Sequence, residues 1–327
     1  MTDINQTGMT VKGHQINAGR DVSVGHFGDT YHIAEAQLNL SDELTAVLLA
    51  TLSREKQEDY SQPDLALKIA YEPETVLIPA GQFLMGSGVD SGIPIHETPQ
   101  FEMELPAFRI GKYPVTNAEY AHFLKETEQI ASDELGWAGN NEPKEEQKRL
   151  PVRGVTWYDA IAYCIWLYDQ TGRPYTLPSE AQWEKAARGT EGHLFPWGNE
   201  WEDGRFCNTD FSQVTPKSQF PEGQSFFEVW DMVGNVREWT TTIWGRNRKY
   251  NLDDTSKYPW TDTWVPNSGR DDLRKSRQFR RVTRGGASLV PGTPLRAARR
   301  ESELPYHCGV ANGRIGFRVV LNWEDGK

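Results

Sequence analysis

Cysteines and histidines are the side chains of this sequence with the widest range of chemistry, because they act as nucleophiles, bases and metal ligands. Cys164, Cys207 and Cys308 lie far apart and form no CxxC pair, so no disulfide framework is expected. None of the seven histidines is paired with another at i, i+4 on a predicted helix, so the sequence supports no facial metal triad. Cys164 falls on the apolar face of a predicted helix and is interpreted as a core residue.

The segment DMVGNVREW places several oxygen ligands within one tight turn. They are the side chains of Asp231 and Glu238 and the main-chain carbonyls of Gly234 and Val236. Oxygen ligands with this spacing suit Ca²⁺, and a structural calcium ion is the one cofactor that the sequence suggests. The alternative is a turn that Asn235 and Glu238 brace by hydrogen bonds. The sequence leaves both open.

Residues 284–300, RGGASLVPGTPLRAARR, combine strictly specified ends with permissive contents. One end is an arginine followed by two glycines, and the other is a small-residue run flanked by Arg296, Arg299 and Arg300. The stretch SLVPGTP between them suits neither a helix nor a strand. Substitutions in exposed loops usually cost no more than about 0.5 kcal/mol, whereas core substitutions cost several. The pattern therefore indicates a rigid support for a surface whose side chains are free to differ.

Three helices within a turn-rich β framework must position these groups. Thr116 with Glu119 caps the first helix and Ser179 with Gln182 caps the third, and both pairs have the spacing of a capping box. The second helix is predicted to end at Gly172. The closing segment RIGFRVVLN is predicted to be a terminal strand. Short helices among strands, in a chain with 29 Gly and 19 Pro, predict an α+β domain.

The chain divides into an N-terminal segment, residues 1–72, and a main domain, residues 73–327. Within the main domain, the polar stretch 128–149 is interpreted as a surface loop. Short strands are predicted within residues 10–33, and a helix with one apolar face is predicted to follow Ser41. The N-terminal segment is either a docking or oligomerisation element or a partly ordered tail, and the sequence leaves both open.

Charge and hydropathy exclude several function classes. The formal net charge of −11 argues against a nucleic-acid partner, since phosphate binding needs a basic surface. The longest apolar run, LTAVLLATL, is far too short to span a bilayer, so no membrane is expected among the partners. The first residues, MTDINQTG, are polar and unlike a secretory signal, so the expected location is the cytoplasm.

Nine motifs follow one another within residues 76–321: IPAGQFLMGS, YPVTNAEYAHF, PVRGVTWYDAIAYC, YTLPSEAQWEKAARG, PWGNEW, DMVGNVREW, RGG, RAARR and GFRVV. In this order they resemble the formylglycine-generating-enzyme (sulfatase-modifying factor) domain, a variant of the C-type lectin fold. The resemblance implies a C-type-lectin-like fold, rich in turns, with short helices packed on small antiparallel sheets. It does not imply activity, because function depends on the site that a fold carries.

The enzymes of this family oxidise a substrate cysteine with copper that is held by a cysteine pair just after the RGG. Here that stretch reads ASLVPGTPLRAARR and contains no cysteine, so no catalytic residue is predicted. Asp231, Gly234, Val236 and Glu238 match positions of a calcium site in the same family. An enzyme of the formylglycine-generating type, or an offshoot that uses another metal, is the alternative function.

The variable proteins of diversity-generating retroelements are a second branch of this fold, and they resemble the chain at its C-terminal end. There an RGG strand (284–286), a RAAR segment (296–299) and an IGFR strand (315–318) form what we call the C-terminal frame. It bounds a variable region of about 284–318, in which mutagenic reverse transcription rewrites side chains. The resemblance implies a non-enzymatic bacterial protein that binds a protein or another macromolecule through a diversified surface.

The contents of the C-terminal frame form the predicted binding surface. Its residues are Ala287, Ser288, Leu289, Val290, Gly292, Thr293, Arg299, Glu301, Ser302, Glu303, Tyr306, His307, Cys308 and Val310. An exposed apolar patch with a polar rim is typical of an interaction site. The expected patch is Leu289, Val290, Leu304, Tyr306 and Val310, and its expected rim is Glu301, Glu303 and His307. Inert surface turns are one alternative; another is a regulatory component of a bacterial signalling or defence system, docked through residues 1–72.

Overall fold

A computed structural model describes residues 10–11, 14–15, 69–88, 93–137, 139–202, 204–207, 214–246, 271, 273, 279–286, 295–308 and 315–322. The helices in these ranges are α1 Asn117–Glu126, α2 Trp157–Thr171 and α3 Glu180–Arg188. The strands are β1 Thr10–Val11, β2 His14–Gln15, β3 Thr75–Ile78, β4 Gly81–Met85, β5 Phe101–Leu105, β6 Phe108–Gly111, β7 Tyr175–Thr176, β8 Gly234–Arg246, β9 Phe279–Gly286, β10 Arg300–Glu303, β11 Ile315–Gly316 and β12 Val320–Leu321. Short 3-10 helices lie at Ile95–Glu97, Asp133–Leu135, Glu145–Gln147 and Pro221–Gly223.

The strands of the described residues form two four-stranded sheets and two two-stranded sheets. One four-stranded sheet has the order β10-β9-β8-β11, and we call it the frame sheet because it contains both strands of the C-terminal frame. The other has the order β3-β6-β12-β7. Strand β11 runs parallel to β8, and the other pairs are antiparallel. Short helices with small, mostly antiparallel sheets confirm the predicted α+β class.

Local capping chemistry starts and ends the helices as predicted. The side chain of Thr116 accepts from the amide of Glu119, and the side chain of Ser179 accepts from the amide of Gln182. Gly172, in the left-handed conformation with a φ of 69°, ends α2. A third capping box, formed by Thr156 and the carboxylate of Asp159 at the start of α2, was not predicted from the sequence. In the described part of the chain, no helix is both long and apolar enough to cross a membrane.

The core has two apolar clusters, one around α1 and α2 and the other around α3. Cys164 is fully buried in the first cluster, which confirms it as a core residue. The interpretation of residues 128–149 as a surface loop is wrong in part, because Leu135 and Trp137 belong to the same cluster. The reason is the large free energy gained when a tryptophan is removed from water, which draws this otherwise polar stretch over the core.

Residues near the predicted domain boundary are attached firmly to the main domain. The carboxylate of Glu72 forms a buried ion pair with Arg173 and accepts from the hydroxyl of Tyr175 at 2.5 Å. Strands β1 and β2 pair as a small hairpin within the range of the predicted short strands. The predicted helix after Ser41 lies outside the described residues.

Candidate functional site

A set of buried charges holds the frame sheet against α3. Arg284 of β9 donates to Glu184 at 2.6 Å and to Glu180 at 3.4 Å. Arg300 of β10 donates twice to Glu180, at 2.7 and 2.9 Å, and Arg188 donates to Glu184 at 2.7 Å. We call these five residues the buried ion network, because no side chain among them is more than 3% exposed. Buried charges are tolerated only when they are paired in this way.

Arg284 also ties together the two ends of the stretch that follows β9. Its NH1 group donates to the carbonyls of Ala297, Ala298 and Arg299 at 3.4, 3.0 and 3.3 Å. The two alanines are buried at 1% exposure, where a larger side chain would not fit without moving its neighbours. One arginine therefore holds the RGG strand, helix α3 and the RAAR segment in a single arrangement.

The remaining frame residues are also bonded within the domain. Arg296 donates three hydrogen bonds of 3.1 to 3.2 Å to the buried carboxylate of Glu97. Phe317 is fully buried, and Arg318 donates to both carboxylate oxygens of Glu238, at 2.6 and 2.7 Å. Arg296 is thus partnered but a quarter exposed, whereas Phe317 is completely buried. Of the flanking arginines, Arg300 is the fully buried one, and this was not evident from the sequence.

The second glycine of the RGG motif makes room for an arginine from β8. Gly286 has a φ of 89°, and a Cβ atom placed on it would lie 2.2 Å from Cγ of Arg237. Arg237 therefore crosses β9 at this glycine, and its NH1 donates to Oε2 of Glu301 at 2.7 Å. Glu301 accepts at its other oxygen from NH2 of Arg299, at 2.5 Å. We call Arg237, Glu301 and Arg299 the Arg–Glu–Arg cluster.

The Arg–Glu–Arg cluster is only partly buried. The side chains of Arg237, Glu301 and Arg299 are 21%, 32% and 36% exposed, in contrast to the buried ion network. Glu301 and Arg299 were predicted from the sequence to be binding residues, whereas Arg237 was not. The sequence holds no signal for Arg237, because its place in the cluster depends on the register of β8 against β9.

A second group of predicted binding residues surrounds Arg280 of β9. Its guanidinium donates to the hydroxyl of Ser302 at 2.9 Å and to the carboxylate of Glu303 at 3.4 Å. The ring of His307 lies 3.2 Å from the same carboxylate and meets the ring of Tyr306 edge-on. Ser302, Tyr306 and His307 are partly exposed. Arg280 was also missed by the sequence analysis.

Two residues of the expected patch and rim are buried instead. Leu304 and Glu303 are each 6% exposed, so the expectation that they lie on the surface is wrong. The carbonyl of Pro305 accepts from the amide of Trp157 at 3.0 Å, and this bond holds the turn after β10 on the start of α2. Tyr306 packs partly against the cluster around α1 and α2 for the same reason.

The other predicted binding residues lie apart or outside the described ranges. Cys308 is half-buried and contacts Glu134, and burial together with that carboxylate raises the pKa of its thiol to about 11. Cys308 is therefore a neutral thiol rather than a thiolate nucleophile. The residues outside the described ranges are Ala287, Ser288, Leu289, Val290, Gly292, Thr293 and Val310.

The turn predicted to hold Ca²⁺ combines a free carboxylate oxygen with a bracing network. Oδ2 of Asp231 is buried and has no hydrogen-bond partner in the ranges that the structure describes. Burial, together with the nearby charge of Glu238, raises the pKa of Asp231 to about 7 although Arg318 acts to lower it. Asn235 bonds the amide and carbonyl of Thr215 at 3.0 and 3.1 Å, as the bracing alternative predicts.

Glu238 takes part in the bracing and keeps one acceptor position. Its Oε2 accepts from Arg318 and from the indole of Trp183, whereas Oε1 accepts, among the described residues, from Arg318. A carboxylate oxygen has about two acceptor positions, so Oε1 retains one. No group of three His, Cys, Asp or Glu side chains suited to a metal occurs among the described residues. A calcium ion here would therefore need main-chain carbonyls, such as those of Gly234 and Val236, beside these two carboxylates.

Comparison with known proteins places this geometry in a family. The family model described as the sulfatase-modifying factor enzyme 1-like domain matches residues 63–323. The chain is 31% identical over 234 residues to a Mus musculus protein named inactive C-alpha-formylglycine-generating enzyme 2. That match spans 56% of this chain and 73% of the mouse protein.

Two solved structures share the fold. The structure of PvdO from Pseudomonas aeruginosa matches with a TM-score of 0.59 at 25% identity, over 78% of this chain and 96% of PvdO. Treponema denticola variable protein 1 matches with a TM-score of 0.55 at 18% identity, over 76% of this chain and 95% of that protein. The second likeness shows the fold alone, and it confirms the C-type-lectin-like fold that the sequence motifs imply.

Proposed function

We propose, from the premise that the chain belongs to the family of sulfatase-modifying factor enzyme 1-like domains, that it is a non-enzymatic ligand-binding protein of the variable-protein type. One observation supports this proposal most. The charged groups of the C-terminal frame that hold its strands, Arg284 and Arg318, are buried and bonded inside the domain. The side chains of Arg299, Glu301 and His307 between them are partly exposed. Such a division lets contact residues change while the fold stays intact.

An enzyme of the formylglycine-generating type is the competing function, because the family includes such enzymes. Two observations favour the binding function over it. The segment after the RGG contains no cysteine that could supply a copper thiolate, and Cys308 has a raised thiol pKa. Stoichiometric, tight Cu(I) binding together with oxygen consumption on a cysteine-containing peptide would favour the enzyme instead.

The proposed partner is a protein or another macromolecule that contacts the partly exposed residues between the frame segments. The test is an exchange of residues 287–314 with the same stretch of a sister protein that binds a different ligand. We expect the exchange to transfer ligand preference, measured by biolayer interferometry against both ligands, because the frame supports either set of contents. A matched exchange of residues 1–72 should leave preference unchanged. Preference that follows residues 1–72 would contradict the proposal.

A genomic observation tests the retroelement origin separately. We expect a reverse-transcriptase gene beside this one, together with a near-copy of the DNA that encodes residues 284–318. Mismatches between the two copies should fall at adenines of the template. A locus with neither feature would remove the retroelement part of the proposal and leave a ligand-binding domain without diversification.

A structural calcium ion at Asp231 and Glu238 is part of the proposal. Saturating Ca²⁺ at about 100 times its Kd stabilises a folded protein by about 2.7 kcal/mol. For a domain of this size we expect Ca²⁺ to raise the melting temperature by about 5–10 °C over EDTA-treated protein. Asp231→Asn should abolish the increase, whereas Glu228→Gln, an exposed carboxylate nearby, should retain it. Equal melting temperatures of the wild type in Ca²⁺ and EDTA would contradict the calcium site.

A further inference from the structure

In the Arg–Glu–Arg cluster, two arginine side chains hold one glutamate carboxylate between them at a partly exposed position. Arg237 contacts one oxygen of the Glu301 carboxylate at 2.7 Å, and Arg299 contacts the other at 2.5 Å. Two guanidinium groups that converge on one carboxylate have the geometry with which arginines recognise a carboxylate of a partner. In this protein the carboxylate belongs to the chain itself.

Most of the donor capacity of these two arginines is unused within the described residues. A guanidinium group has five N–H donors. In the described part of the chain, Arg237 uses one of them and Arg299 uses one, both on Glu301. The arginines of the buried ion network differ, since Arg300 donates from three nitrogens to Glu180 and to the carbonyl of His96. Arg237 and Arg299 can therefore serve a ligand in a way that Arg300 cannot.

The backbone holds the two arginines of this cluster in position. Arg237 reaches Glu301 only because Gly286 has no Cβ atom, which would lie 2.2 Å from Cγ of Arg237. The carbonyl of Arg299 is itself one of the three that Arg284 bonds, and Arg237 pairs across the sheet with Gly285, the residue after Arg284. Both guanidinium groups thus extend from backbone positions that the buried ion network holds, and a pre-organised pair of donors loses little entropy on binding.

The geometry points to an acidic-side-chain recognition site formed by Arg237 and Arg299, in which Glu301 occupies the place of the ligand carboxylate and lowers affinity until it is displaced. This inference rests on the proposed ligand-binding function and specifies its ligand class, a protein segment that presents Asp or Glu. A ligand carboxylate can bind only while Glu301 is away from the arginines. The apparent affinity is therefore the intrinsic affinity multiplied by the fraction of time in which the arginines are free. The net charge of −11 opposes non-specific binding of anions, so binding of an acidic segment requires such a local site.

The experiment measures binding of a fluorescein-labelled, capped hexaglutamate peptide by fluorescence anisotropy at low ionic strength, using the full chain. Glu301→Gln should bind the peptide about tenfold more tightly than the wild type, because it frees two arginines from a partly exposed pair. Adding Arg237→Met to Glu301→Gln should abolish the gain. Thermal melts of each variant check that the chains are folded.

Glu222→Gln is the matched control. Glu222 pairs with the exposed Arg205, far in sequence from the Arg–Glu–Arg cluster, and this substitution changes the net charge as much as Glu301→Gln does. This control should bind the peptide as weakly as the wild type does. Equal gains in both Gln variants, or no gain in Glu301→Gln, would overturn the inference. Displacement of the peptide by an equal concentration of inorganic phosphate would overturn the choice of a carboxylate ligand. A successful exchange of residues 287–314 beside an unresponsive Glu301→Gln would reject this inference alone and leave the proposed function standing.

Discussion

Arg284→Met should lower the free energy of unfolding by about 3–5 kcal/mol, because it leaves several buried acceptors, a carboxylate oxygen of Glu184 and carbonyls of the RAAR segment, without their donor. Arg284 donates a hydrogen bond to Glu184 at 2.6 Å, and it also donates to three carbonyls of the RAAR segment. Methionine replaces much of the side-chain volume, so the loss reports the charge and its bonds rather than a cavity. Urea denaturation monitored by tryptophan fluorescence gives the measurement.

Two control variants separate burial from the mere presence of an ion pair. Arg205→Met removes an arginine that also contacts two carboxylates, Glu202 and Glu222, but at the surface. Its unfolding midpoint should stay close to that of the wild type. Combining Arg284→Met with Glu184→Gln should lose further stability, since Glu184 is also the partner of the buried Arg188 and its neutralisation leaves that charge unpaired. A loss no larger in Arg284→Met than in Arg205→Met would mean that the frame does not depend on the buried ion network.

Gly316→Ala should destabilise the protein by about 3 kcal/mol through overpacking in the core. A Cβ atom on Gly316 would lie 2.3 Å from the carbonyl oxygen of Val152. That oxygen belongs to the backbone, so it cannot move aside as the end of a flexible side chain can. Gly316 lies in β11, which pairs with β8 beside Glu238, so any shift disturbs the frame sheet as well. Thermal and urea unfolding would measure the loss.

Gly88→Ala is the matched control for this substitution. A Cβ atom on Gly88 would meet no atom of the described residues within 4 Å. Alanine at such a position reduces the freedom of the unfolded chain, so Gly88→Ala should be neutral or stabilise by up to about 1 kcal/mol. If Gly316→Ala were as harmless as Gly88→Ala, the close approach of the backbone at Gly316 would have no energetic importance.

Features that depend on residues close together in the chain were predictable from the sequence. Thr116 and Ser179 cap their helices, and Gly172 ends α2, because each bond spans no more than four residues. Burial of Cys164 followed from the period of one helix. The α+β class followed from the sum of such local signals. These interactions need no knowledge of the rest of the fold.

Tertiary structure alone decided which side chains support the C-terminal frame and which are available to a ligand. Arg299 and Arg300 are neighbours with the same chemistry, yet Arg300 is buried against Glu180, 120 residues away, and Arg299 reaches the partly exposed Glu301. Strand β10 begins at Arg300, with Arg299 just before it, and the packing of α3 against the frame sheet determines that Arg300 is the one that is buried. Other contacts between distant segments put Leu304 and Glu303 inside, where the turn after β10 is held on the start of α2, and brought Arg237 across Gly286.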